Sequence, residues 1–290
     1  MRHAVRMSER MVRHGQLALA VCDSEGSGPD VLLLHGLGCN LAFWKLMEPL
    51  LAARFRLVSV DLPGHGRSTV PSSHSFERDL LALEQVCSEC ELREPAIVGH
   101  SYGGMLAVGL AARGTRPYRV AVNIDGLGFA HPRTPPAMWT PAEPEGWEDV
   151  GDLEWMEAEV LAEQQVLASV GVAARDLPAE IIRRGFLTSA DGQWHRVPTA
   201  AYFLAVQEAF RDLDLLQSYR RATCPTITVI ATQRAAPTPE LQKLTAGHIT
   251  AITADLRTVP SARVIDMEGG HYLHLEVPHD LATMLEDACG

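Results

Sequence analysis

Lysine is nearly absent from this chain of 290 residues, standing only at positions 45 and 243, so arginine carries almost all of the basic charge. That usage reflects base composition rather than a binding surface and decides nothing about chemistry. Basic residues are also outnumbered, 25 against 36 acidic, for a net charge of −11 with no basic cluster. Such a surface repels phosphate backbones and acidic membranes, which argues against nucleic acid or a membrane as a partner. Nowhere do about 18 uninterrupted apolar residues occur, the length from which a spanning helix is read. The opening MRHAVRMSERMVRH carries basic residues with no apolar run behind them, unlike a secretory leader. A soluble, cytoplasmic protein is expected. The six cysteines, at 22, 39, 87, 90, 224 and 289, lack the dense spacing of a disulfide scaffold. Cys87 and Cys90 form a CxxC, but the surrounding FERDLLALEQVCSECEL reads as an amphipathic helix, with no second CxxC or nearby histidine pair to complete a zinc site. Neither a metal nor a cofactor is expected.

What the chain does have is apolar content of 47%, enough for one large domain or a domain with an insertion. Strand and helix signals alternate through its first third. Strands are expected over Gln16–Asp23, Asp30–Leu34, Phe55–Asp61, Ala96–Gly99 and Arg119–Ile124, with helices over Trp44–Arg54, Phe76–Leu92 and from Ser101 to about Gly114. This order implies an α/β fold, a mostly parallel sheet with helices on both faces. From about Gly126 to Arg211 the pattern breaks into proline-rich punctuation (HPRTPPAMWTPAEPEGW) and helical stretches, Leu153–Val170 and Thr199–Phe210, without a convincing strand. Alternation resumes with strands Pro225–Ala231 and Ala262–Met267 and helices Pro239–Arg257 and Pro278–Ala288. The expected organisation is therefore a core in two parts, 1–126 and 212–290, interrupted by a helical lid over 127–211 that overhangs the C-terminal ends of the strands.

The stretch IVGHSYGGML places Ser101 between Gly99 and Gly103 where a strand becomes a helix. A serine on so tight a turn presents its hydroxyl outward from the sheet end, and small neighbours are needed because larger ones would collide with the flanking backbone. The turn also aims the first helical amides, that of Tyr102 foremost, at whatever Ser101 attacks. In this context the chain resembles the α/β-hydrolase family over nearly its whole length outside the insertion. VLLLHGLGCNLAFW looks like the loop that supplies a second oxyanion amide, which implies the N–H of Leu37. VSVDLPGHGRS resembles the next strand and turn, IVGHSYGG the nucleophile elbow, and MEGGHYLHLEVP the segment that carries the catalytic histidine.

Of twelve histidines, the base must lie on a loop at the same sheet edge as the elbow, and His271 qualifies by following strand Arg263–Met267 through Gly269 and Gly270. His274, His35, His100 and His65 are read as structural. The acid is harder to place. Family members usually carry it just after the strand matching Pro225–Ala231, but TVIATQRAAPTPE has no aspartate and its first carboxylate is Glu240. Some members take it from the end of the preceding core strand, where this chain reads VAVNIDGLG, and a carboxylate there can reach the Nδ1 of His271 and fix its tautomer. Asp125 is the expected acid. Asp266 and Glu268 precede His271 too closely to fold back onto its ring, and Asp61 is read as a structural carboxylate of its turn.

Serine, histidine and two amide donors form machinery for acyl transfer. The leading expectation is hydrolysis of an ester, thioester or lactone of a small, largely apolar molecule through the triad Ser101, His271 and Asp125. Lid residues Phe129, Met138, Trp139, Trp147, Trp155, Met156, Phe186, Trp194, Tyr202 and Phe203 are available to wall its pocket. Two alternatives stay open: a lyase or carbon–carbon bond hydrolase using the same triad, and a small-molecule receptor that kept the pocket without turnover. Oligomeric state is not legible.

Overall fold

A computed structural model of the chain describes residues 7–127, 148–169, 171–172, 178–234 and 239–290. Its first part runs β1 (Ser8–His14), β2 (Leu17–Asp23), β3 (Asp30–Leu34), a 3₁₀ turn (Leu41–Trp44), α1 (Glu48–Leu51), β4 (Arg56–Val60), α2 (Phe76–Glu89), β5 (Ala96–His100), α3 (Tyr102–Arg113) and β6 (Ala121–Ile124). A second group follows: β7 (Val150–Gly151), α4 (Leu153–Ser169), α5 (Ala179–Arg183), β8 (Phe186–Thr188), β9 (Trp194–Arg196) and α6 (Ala200–Phe210). The chain closes with α7 (Leu215–Arg221), β10 (Thr226–Ala231), α8 (Pro239–Leu256), β11 (Ala262–Met267), α9 (Leu273–Glu276) and α10 (Pro278–Cys289).

Eight strands form one sheet in the order β1-β2-β4-β3-β5-β6-β10-β11, antiparallel at the first two pairings and parallel from β4 onward. The parallel strands read as continuous apolar runs because both their faces are covered. Strand alternation sends Leu32, Leu34 and Ile97 to one side, against α2, α3, α7 and α8. It sends Val31, Leu33 and Val98 to the other, against Trp44, Phe55 and the apolar stripe of α10. Parallel pairing also gathers the C-terminal ends of β3, β5, β6, β10 and β11 along one edge, and the loops that leave that edge carry the candidate residues. Among the described residues no helix is long and apolar enough to cross a membrane.

Three elements depart from expectation. β1 is a charged edge strand with only Val12 buried, so its period is masked by arginine and glutamate. The expected helix over Trp44–Arg54 is a 3₁₀ turn and a single α turn, because Asn40 caps the first with its side chain on the Ala42 amide and Pro49 restarts the second. Between 148 and 196, where no strand was expected, β7, β9 and β8 form a small antiparallel sheet of two- and three-residue strands, too short to show alternation.

Two buried histidines tie together the loops that follow β3 and β4. His35 donates from Nδ1 to Gly36 O (2.7 Å) and accepts the Leu62 amide at Nε2 (3.0 Å). His65 donates from Nδ1 to Pro63 O (2.9 Å) and accepts the Gly38 amide at Nε2 (3.1 Å). An acceptor nitrogen is unprotonated, so each ring is a neutral bridge in a fixed tautomer. Nearby, the buried carboxylate of Asp61 accepts the amides of Leu41 and Arg67 (both 2.8 Å) and the guanidinium of Arg184, which also pairs with Glu9 and so anchors the α5 segment to the core.

Burial pushes His35, His65 and His274 down to about 3 and His74 to about 4, from an ordinary 6.5. Below pH 6.5 the unfolded chain therefore binds protons at these rings that the folded chain refuses, and stability falls as pH falls through that window. Asp79, pushed up to about 7 by burial, and Glu48 and Glu163, also raised by burial, act oppositely, but these three are outnumbered by the buried histidines, His100 included. Unfolding free energy from urea titrations is expected to decrease from pH 6.5 to pH 5, by about 1.4 kcal/mol per pH unit for each net proton taken up. A free energy independent of pH, or one that rises on acidification, would contradict this account of the histidines.

Candidate active site

One residue separates β5 from α3, and that residue is Ser101, held at φ +51° and ψ −115°. A non-glycine residue in such a conformation costs on the order of 1–3 kcal/mol and persists only where its surroundings impose it. Here the Ser101 amide donates to Ile124 O (2.8 Å), while Ser101 O accepts the amides of Gly104 and Met105 (3.0 and 3.1 Å). A Cβ at Gly99 would overlap the carbonyl of Gly103, and one at Gly103 would overlap that of Leu34. The two glycines thus let strand, elbow and helix approach closely enough to make the turn.

Asp125 lies just past β6, also at positive φ (+57°). The Asn123 side chain fixes that turn, accepting the Gly126 amide (2.8 Å) and donating to Gly126 O (3.0 Å) and to Tyr219 Oη (2.8 Å). Tyr219 Oη in turn pairs with Thr228 Oγ1 at 2.7 Å. The Asp125 amide continues the ladder to Val229 O on β10 (2.8 Å), and its side chain is wholly buried. Oδ1 accepts the Ala231 amide (2.8 Å) and the guanidinium of Arg234, and Oδ2 lies 2.6 Å from Nδ1 of His271.

His271 is delivered by the loop after β11. Glu276 accepts the amides of Gly270 (2.7 Å) and Tyr272 (3.0 Å), and His100 Nε2 donates to His271 O (2.9 Å). The His271 ring stands against that of His100, residue neighbour of Ser101, with centroids 4.6 Å apart. Because the buried carboxylate can only accept, Nδ1 of His271 is the donor and Nε2 keeps the basic lone pair. The neighbouring rings of His35, His100 and His274 are buried, and burial drives each far below the ordinary histidine range. The His271 side chain is 40% exposed, so it combines a carboxylate partner with access from solvent.

The three expected residues are therefore brought to one sheet edge, with one contact open: among the described residues the Ser101 side chain makes no hydrogen bond. The Tyr102 amide is the first of α3 and has no helical acceptor. The Leu37 amide also goes unused among the described residues, while its neighbour Gly38 is engaged by His65. Beside Leu37 and Tyr272 lies a cavity of about 180 Å³, walled by Phe43, Phe186, Phe203 and Glu163. A larger one of about 600 Å³ lies near Glu9, Lys45, Arg184 and Trp194, and neither cavity has Ser101 or His271 in its wall.

The remaining carboxylates are occupied elsewhere. Glu268 accepts from the Gln233 side chain (2.8 Å), Asp266 and Glu240 are exposed, and Asp61 serves its turn. Of the residues expected to wall a pocket, Phe186 and Phe203 reach the smaller cavity, Met156 and Tyr202 are buried, and Trp155 and Trp194 are half-buried. Phe129, Met138, Trp139 and Trp147 lie outside the described residues. Sequence reasoning missed Arg234 and the Asn123–Tyr219–Thr228 chain, whose partners are distant in sequence and carry no local pattern.

Comparison with known proteins points the same way as the geometry. Residues 31–284 match the sequence model of the Alpha/beta hydrolase family. A magnesium-chelatase 30 kDa subunit of Rhodobacter capsulatus is 39% identical over 33% of this chain and 34% of its own length. A pimeloyl-[acyl-carrier protein] methyl ester esterase of Nitrosospira multiformis is 41% identical over 37% of this chain and 40% of its own. The aligned part thus spans only about a third to two fifths of these relatives. Among solved structures, an E-2-(acetamidomethylene)succinate hydrolase superposes with a TM-score of 0.74 at 22% identity, covering 98% of this chain and 99% of the other. The thioesterase domain from the curacin biosynthetic pathway gives 0.71 at 21% identity, covering 97% and 99%. With a family match across most of its length, and a strand order and elbow to go with it, this chain belongs to the α/β hydrolase family.

Proposed function

We propose that the chain is a serine hydrolase that cleaves an ester, thioester or lactone of a small, largely apolar molecule. The observation that carries this reading is the 2.6 Å hydrogen bond from His271 Nδ1 to a wholly buried Asp125, at the same sheet edge as the strained Ser101. Ser101 Oγ attacks the carbonyl carbon while His271 Nε2 takes its proton, and Asp125 holds the imidazole tautomer and stabilises the imidazolium. The amides of Leu37 and Tyr102 receive the developing oxyanion. His271 then returns the proton to the leaving alcohol or thiol, and water, activated by the same ring, releases the acyl group from Ser101. The names of an esterase among the relatives and a thioesterase among the structural neighbours agree with this chemistry. Residues 127–211 are assigned as the lid, and Phe43, Phe186 and Phe203, which share the cavity beside Leu37 with Asn40, Glu163 and Arg196, support a substrate with an apolar group.

Hydrolysis of p-nitrophenyl esters of short and medium acyl chains tests the reading. Ser101→Ala is expected to abolish turnover, and Asp125→Asn to lower kcat by about 10⁴-fold through loss of the working tautomer. Near wild-type turnover in Asp125→Asn would remove Asp125 from the role. Wild-type protein inert toward esters, thioesters and lactones alike would overturn the function itself.

A further inference from the structure

The segment after β10, where the sequence has no carboxylate, is bound to both the acid and the base loop. Ala231 N–H and the Arg234 guanidinium hold Oδ1 of Asp125, while the Gln233 amide donates to Gly269 O (2.8 Å) and its side chain to Glu268 (2.8 Å). The Thr232 amide donates to Met267 O at the end of β11 (3.1 Å), and Gln242 on α8 donates to Arg234 O (3.0 Å). Arg234 is itself largely buried, its side chain 17% exposed. A guanidinium is planar and always charged, so one that occupies Oδ1 fixes the carboxylate plane and leaves Oδ2 for a single partner.

We propose that Arg234 is a positioning residue, which orients Asp125 toward His271 and, through its charge, weakens the hold of the imidazole on a proton. This rests on the assignment of Asp125 and His271 made above. The groups facing His271 bear out the sign. Asp125 from the end of β6 favours the imidazolium, and Arg234 opposes it from the other side of the same carboxylate. His100 from β5 and His274 from α9 are held neutral by burial, Tyr272 is buried and un-ionised, and Glu276 on α9, which keeps its charge while accepting loop amides, is the same in the wild type and in the Arg234 variants. Removing the arginine charge therefore strengthens proton binding at His271.

The test is an NMR titration of histidine labelled with ¹³C at Cε1, with the His271 signal assigned through His271→Gln, in the wild type and in Arg234→Gln, Arg234→Met and Arg234→Lys. Circular dichroism checks that each variant is folded, and two neutral variants guard against one failing to fold. Both neutral variants are expected to raise the His271 midpoint, and lysine to restore it. The acidic limb of kcat/KM should move upward in step. An unchanged midpoint in a folded neutral variant overturns the proposal whatever the activity. A shifted midpoint in a protein whose Ser101→Ala variant hydrolyses esters as fast as wild type upholds Arg234 and sinks the hydrolase reading instead.

Discussion

The hydrogen bond between Asp125 and His271 joins the ends of two strands that do not pair with each other, β6 and β11, across β10 between them. Its length is set by sheet register. Val229 on β10 lies opposite both Ile124 and Ile265, and the ladder runs past the end of β6 through the Asp125 amide. Three parallel strands in register thus bring Asp125 and the loop of His271 to one level. The proposed chemistry depends on that level being reached from three directions, with Ser101 arriving from β5.

Holding a carboxylate there is costly, because a wholly buried charge loses its hydration and must recover it from donors of the protein. Asp125 has three, an amide, a guanidinium and an imidazole N–H, and all are local to the same edge. Two of the five non-glycine residues at positive φ among the described residues lie at the same point. Ser101 and Asp125 both adopt positive φ: Ser101 is fixed by its N–H to Ile124 O on the strand of Asp125, and Asp125 by its amide to Val229 O and by Asn123 across the Gly126 turn. The Ser101 elbow and the Asp125 turn are thus joined through β6, while the reciprocal histidine bridges of His35 and His65 attach the Leu37 loop to the loop after β4.

The central sheet was legible because β-branched runs and intervening amphipathic helices are strong local signals, and the elbow because glycine at 99 and 103 answers a steric demand visible in three residues. Asp125 could be anticipated as the carboxylate that ends an apolar strand. Arg234 could not, since its ion pair depends on a loop folding back over a carboxylate 109 residues earlier. The β7–β9–β8 sheet was hidden for a different reason: strands of two and three residues have no periodicity to read, and their pairing is decided by packing against α4 and the core.

The central claim is that one hydroxyl, at position 101, is made nucleophilic by one imidazole, at position 271. A fluorophosphonate probe, which phosphonylates only an activated serine, measures that property directly when the intact protein and its peptides are weighed by mass spectrometry. The account predicts one adduct per chain, located on Ser101, and its loss in the His271→Ala variant. An unmodified chain, an adduct on another residue, or labelling of Ser101 undiminished by His271→Ala would contradict it.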